Sequence, residues 1–316
     1  MAYKTKLISL TILSICLIAL FLFWDIGEHW EYVLPKRAIK IFAIIITGSC
    51  IAFSTIVFQT ITNNRILTPS LIGLDSLYLL IQTVIVFLFG GTTLAMMSRE
   101  YHFLLSVGLM IIFALLLFKY IFKKEGKNIY FLLLIGIIMG TFFESISSFM
   151  QLLIDPNEFL VVQDSMFASF NNVNTDLLLI SVVLLVAITV YFSRFVKFLD
   201  VISLGRDEAV NLGVNYDHVV KRLLIVIAVL VSISTALVGP ITFLGLLVAN
   251  VAHEFLRTYR HSFLISGSIL ISIVALVGGQ FLVERVFTFS TTISVIINFV
   301  GGVYFIYLLL KENKTW

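Results

Sequence analysis

Glu144 is a lone carboxylate in an apolar stretch, GTFFESISSFM. An ionisable group in a hydrocarbon-facing run costs a few kcal/mol, so such a residue is expected to line a polar pathway or to pair with a neighbour such as Ser145 or Ser148. Charge gathers a second time in LGRDEAVNLGV, where Arg206, Asp207 and Glu208 stand in a row between Gly205 and Gly213. Nothing in the chain completes a catalytic constellation. There is no H-E-x-x-H, no G-x-S-x-G nucleophile elbow and no G-x-x-x-x-G-K-[ST] phosphate loop. His29, His102, His218, His253 and His261 are scattered without ligand spacing, and Cys16 and Cys50 lie singly in apolar runs. No catalytic residue and no metal site are therefore expected.

The elements that must position these residues are membrane spans. Of 316 residues, 60% are hydrophobic and 12% charged, and the mean hydropathy is +1.08. Crossing a bilayer takes about 20 apolar helical residues. Runs of that kind are read at Leu7–Trp24, Ala38–Gln59, Leu71–Phe89, Phe103–Phe122, Ile129–Ile154, Leu177–Phe195, Leu223–Val238, Ile241–Phe255, Phe263–Val283 and Ile293–Leu310. The first lacks a small-residue cleavage pattern and is read as a span, not a leader. The eighth is short and follows Gly239-Pro240, so a broken element is expected there. The expected fold class is all-α, one polytopic membrane domain of about ten helices over residues 1–316. A net charge of +3 gives no argument for nucleic acid.

Placing both termini in the cytoplasm leaves only Lys36, Arg37, Lys40, Arg99 and Arg285 outside, of 21 Lys and Arg. Lys123, Lys124, Lys127 and Lys314 join the cytoplasmic majority, as the positive-inside rule requires. The stretch DPNEFLVVQDSMFASFNNVNTD has acidic residues and no base, and it belongs outside. LGRDEAVNLGV then lies on the cytoplasmic face. Gly205 opens a helix, Asp207 and Glu208 occupy its positive first turn, and Gly213 suits a left-handed cap. About seven residues at 1.5 Å each span roughly 10 Å, too little to cross a bilayer. On its residues alone, this is either a surface connector or a contact for another protein. Gly136 and Gly140 form a GxxxG that permits close helix approach.

The segment SLGRDEAVNLGVNYDHVVKRLL, residues 203–224, resembles around 203–222 the coupling region of FecCD-type permeases, the iron-siderophore and cobalamin class of ABC importers. Leu204, Gly205, Asp207, Glu208, Ala209, Leu212, Gly213, Val214 and Asn215 carry the likeness. LPKRAIKIFAIIITGSCIAFSTIVFQTITNNRILTPSLIGLDS resembles the family's second span and following loop through Pro35, Gln59, Asn64, Leu67, Pro69, Leu71 and Gly73. VGPITFLGLLVAN resembles its Gly-Pro-Ile-x-Phe-x-Gly-Leu element at Gly239, Pro240, Ile241, Phe243, Gly245 and Leu246. The chain departs from the pattern at Ala249, Asn250 and His253, onto which no role is carried. Phe167 stands where relatives have a tryptophan before a Gly-Ser pair.

The resemblance implies a type II ABC importer permease in a bacterial cell membrane, moving ferric siderophore from an extracellular binding protein. It implies that Leu204, Gly205, Asp207, Glu208, Ala209, Leu212 and Gly213 dock on an ATPase subunit, and that ATP and magnesium bind there and not here. Lys36 and Arg285, with Arg37 second, are implied to meet acidic residues of the binding protein, against the alternative of bases that snorkel at span ends. Two ATPases and a second permease complete the expected assembly, a heterodimer being favoured over a homodimer. Cobalamin or haem import is the alternative within the family. An ion-coupled secondary transporter with Glu144 as proton site is the alternative outside it.

Overall fold

The computed structural model describes residues 2–91, 98–121, 129–171, 173 and 175–312. Lys123, Lys124, Lys127 and Lys314 lie outside the described residues. Thirteen α-helices occur among those described, and ten of them are apolar and stand where spans are expected. Seven are long and apolar enough to cross a membrane: α1 (Ala2–Phe23), α2 (Trp30–Thr62), α4 (Arg99–Ile121), α5 (Ile129–Gln151), α7 (Thr175–Ser193), α10 (Tyr216–Val238) and α12 (His261–Arg285). The other three apolar helices are α3 (Leu74–Phe89), α11 (Leu244–Leu256) and α13 (Ile293–Glu312). Between them lie α6 (Pro156–Ser165), α8 (Val196–Ile202) and α9 (Arg206–Asn211).

Helices α2 and α10 form the buried centre, and α12 packs along α2. Apolar residues cover α2 and α10 on nearly all sides, as an interior helix requires. Helices α1, α4, α5, α7 and α13 are peripheral and expose large apolar side chains such as Ile12, Ile112, Phe149, Val183 and Phe299. That pattern suits hydrocarbon or a partner helix and not water.

Three boundaries differ from the sequence reading. First, α2 begins at Trp30, takes Pro35 into its opening turns and runs 33 residues, about 50 Å. It stops at Asn63, whose left-handed backbone (φ 48°) ends the helix. Second, the third span is split: a 3₁₀ turn, Pro69–Ile72, precedes α3, and Gly73 (φ 84°) separates them. A Cβ on Gly73 would lie 2.9 Å from the Gly136 carbonyl oxygen and 3.0 Å from the Gly140 nitrogen. The GxxxG of α5 thus receives the backbone of Leu71 to Gly73, with Ser76 of α3 beside Gly140. Irregular backbone at this depth is tolerated because protein encloses it.

Third, the acidic stretch read as loop contains α6. Pro156 takes the first helical position, and the Asp155 carboxylate accepts from the Asn157 N–H at 2.9 Å. An N-cap followed by proline is a helix start that the sequence displays openly. The expected break at Gly239-Pro240 is present, with Gly239 at φ 100° between α10 and α11.

Candidate functional site

Helix α9 carries the charged segment and is stopped at both ends by glycine. Gly205 precedes it at φ 106°, and Gly213 follows it at φ 83°. The Val214 N–H donates to Ala209 O (3.0 Å) and the Gly213 N–H to Val210 O (2.9 Å). This pair of bonds is a Schellman cap, which needs a left-handed residue where Gly213 sits. A Cβ at Gly213 would have no neighbour within 4 Å, so conformation and not space selects glycine.

One side of α9 is anchored and the other is bare. Ala209 is 0% exposed against the body, whereas Leu204, Val210 and Leu212 are 57%, 51% and 63% exposed. Asp207 and Glu208 are exposed beside them. Arg206 reaches across to Asp217 of α10 at 3.3 Å, an exposed pair worth little by itself. Of the residues assigned to ATPase contact, Leu204, Asp207, Glu208 and Leu212 present themselves to a partner. Ala209 seats the helix instead, and Gly205 and Gly213 shape it.

Directly behind α9, α8 is bolted to the membrane domain. Its Leu199 and Ile202 are buried. The Asp200 carboxylate accepts from the His261 backbone N–H at 2.9 Å, capping α12, and meets His261 Nδ1 at 2.6 Å. The opposite ring nitrogen, Nε2, lies 2.8 Å from Thr60 Oγ1 near the end of α2. Burial pushes the Asp200 carboxyl up, but the His261 N–H and ring, with the charge of Arg260, outweigh it and hold the group below the usual carboxylate range. Sequence reasoning missed this junction, because Thr60, Asp200 and His261 are far apart in the chain.

At the opposite end, the three basic residues assigned to receptor docking have different surroundings. Lys36 is exposed, donates to the Tyr32 hydroxyl and stands 4.0 Å above that ring. It also borders a cleft of about 240 Å³ shared with Lys40, Phe170 and Asn171. Arg37 donates to the carbonyls of Phe21 (3.2 Å), Leu22 (3.0 Å) and Trp24 (2.7 Å), the unsatisfied end of α1. Arg285 pairs with Asp25 at 2.8 Å and reaches Trp24 O. Lys40 pairs with Glu284 at 2.7 Å.

Glu144 accepts from Ser76 Oγ of α3 at 2.9 Å, not from Ser145 or Ser148. Thr141, Glu144, Ser145 and Ser148 fall on one face of α5 and are all exposed. The hydroxyls of Thr141 and Ser145 bond back to Ile137 O and Thr141 O. An exposed polar strip on a membrane-crossing helix implies contact with something other than lipid.

A match to the FecCD transport family spans residues 5–311. The chain belongs to the FecCD transport family. It is 65% identical over 316 residues, all of both chains, to the petrobactin import system permease protein YclO of Bacillus subtilis (strain 168). With the petrobactin import system permease proteins FatC and FatD of Bacillus anthracis it shares 38% over 281 residues and 26% over 294. Those alignments cover 89% and 91% of this chain, and 79% and 84% of the relatives. In fold it matches an inward-facing conformation of a metal-chelate type ABC transporter, with a TM-score of 0.86, 22% identity, and coverage of 98% of this chain and 99% of that one.

In this FecCD chain the motif residues Gln59 and Asn64 hold backbone, as does Asn250, where the chain departs from the pattern. Gln59 and Asn250 both donate to the Arg65 carbonyl, at 2.5 and 3.0 Å, and Asn64 accepts from the Ile66 N–H, which fixes the connection that leads into the 3₁₀ turn. Phe167, Ala168 and Ser169 lie against the α10–α11 break. A Cβ on Gly239 would come within 3.1 Å of Phe167 O and Ala168 Cα, and the Ser169 N–H donates to Val238 O.

Proposed function

We propose that this chain is one membrane subunit of an ATP-driven importer that carries a ferric siderophore, petrobactin or a close chemical relative, inward from an extracellular binding protein. The observation that carries the transport mechanism is α9: an anchored helix whose Leu204, Val210 and Leu212 are bare suits docking in a cleft of a separate ATPase subunit, where ATP and magnesium bind. The cargo rests on the full-length likeness to a petrobactin permease. FatC and FatD, two different chains with one system name in one organism, support a heterodimer over a homodimer. Both termini are assigned to the cytoplasm of a bacterial cell by the distribution of basic residues. Lys36 is the leading contact for the binding protein, Arg285 engages it by exchanging Asp25, and Arg37 supports the rim through α1. The α5 strip around Glu144 is assigned to the pathway.

The test is reconstitution of this chain with a second permease, the ATPase and the binding protein in vesicles. Uptake of iron-petrobactin that needs Mg-ATP supports the reading. Uptake that survives loss of the ATPase and collapses with the proton gradient would instead establish an ion-coupled carrier with Glu144 as its proton site. Transport of cobalamin or haem in place of the siderophore would move the cargo assignment within the family.

A further inference from the structure

Between α7 and α12 the protein leaves a groove of about 500 Å³. Cys50 and Phe53 of α2 and Leu230 of α10 make its floor, and Ile188, Phe192 and Ile265 contribute to its walls. Toward α8 the lining changes to Ser193, Val196 and Ser262. The Ser193 and Ser266 hydroxyls turn back to Val190 O (2.7 Å) and Ser262 O (2.9 Å), so the interior they border is chiefly hydrocarbon in character. On α12 the groove runs from Ser262 to Ile269, about 10 Å of helix, which fits within one leaflet of a core about 30 Å thick.

The mouth is basic. Arg194 follows Ser193, Lys197 follows Val196, and Arg260 lies two residues before Ser262. All three are exposed. The carboxylate nearest to them in sequence, Asp200, accepts from His261 and also feels the charge of Arg260. A leaflet-deep apolar groove with a cationic collar complements an anionic lipid, with tail inside and phosphate at the mouth.

We propose that this groove seats an acyl chain of one anionic phospholipid from the leaflet on the α9 side, with its phosphate held among Arg194, Lys197 and Arg260. The groove shares no lining residue with the rim or with the α5 strip assigned above, and it serves as a fixed lipid position and not a route for cargo.

The complete importer, reconstituted in vesicles of equal phosphatidylglycerol and phosphatidylcholine and then extracted in mild detergent, is weighed by native mass spectrometry. One phosphatidylglycerol retained per copy of this chain is expected, favoured over phosphatidylcholine about fivefold or more, the worth of at least one base near an anionic surface. Changing Arg194→Gln, Lys197→Gln and Arg260→Gln together should bring the two lipids to parity. Ser266→Trp, which fills the groove, should remove both. The intact-complex mass in the same spectrum reports whether each variant still assembles. Equal retention of the two lipids by the native protein overturns the proposal. So does efficient crosslinking of a Ser266→Cys variant to the second permease, since a protein would then cover the groove.

Discussion

His261 Nδ1 lies 2.6 Å from Asp200 Oδ1, and because the other face of that ring meets Thr60, three separate helices are joined at one buried imidazole. The helix that carries Asp200, α8, ends at Ile202, and α9 begins at Arg206 after a three-residue turn. Under the coupling proposed for α9, a force applied at Leu204 and Leu212 beside that helix reaches α12 and α2 through these short polar contacts.

Asp200→Asn should lower the number of cargo molecules moved per ATP while the chain still inserts. The Asp200 carboxyl is held below its ordinary range, so its stabilising contribution is complete above the unfolded value near pH 4 and fades as pH falls through the folded one. The gap in thermal stability between native protein and variant should accordingly close as the pH falls below about 4. Melting curves across that range check it, and a gap unchanged at the acid end would contradict the assignment.

Leu204→Asp with Leu212→Asp should abolish stimulation of the ATPase and uptake without loss of membrane insertion, since both side chains are more than half exposed. Pull-down of the ATPase subunit measures this. Ala209→Arg should act differently, by unseating α9, because it forces a charge into a buried site.

Gly213→Asn should retain uptake, whereas Gly213→Val should lose most of it. The left-handed backbone costs a β-branched residue on the order of 1–3 kcal/mol, and asparagine tolerates it. Equal uptake by the two variants would show that the cap does not set the shape of α9.

Lys36→Glu should weaken binding-protein affinity, more at low salt than at high, because exposed charges are screened. Arg37→Ala should leave affinity nearly unchanged and reduce stability by about 1–3 kcal/mol, through carbonyls of α1 left without a donor. Titration at two ionic strengths, alongside melting, separates the roles.

Gly136→Ala should cost roughly 1–3 kcal/mol, since its Cβ would sit 2.6 Å from the Leu71 carbonyl oxygen. Gly108→Ala, with nothing within 4 Å, serves as the neutral comparison. Similar yields of the two variants would argue against tight seating of the 3₁₀ turn on α5.

The spans were legible in the sequence because apolar runs and the charges between them are local signals. LGRDEAVNLGV was legible for the same reason: two glycines and an acidic first turn specify a short helix without help from the rest of the chain. The capped α6 was equally readable at Asp155-Pro156 but was obscured by its acidic composition. The three-way contact at His261 was not legible, because Thr60 and His261 are 201 positions apart and only packing joins them. Arg37 and Arg285 looked alike as rim bases. What separates them is a helix end in one case and Asp25 in the other, and neither is visible one residue at a time.

Helix α2 holds Lys36 near its beginning and Thr60 near its end, about 36 Å apart along a single uninterrupted rod. Rocking such a rod about its middle swings the two ends in opposite senses by similar amounts. Arrival of a loaded receptor above and movement of the nucleotide subunits below would then be felt by one and the same lever, without a relay between them.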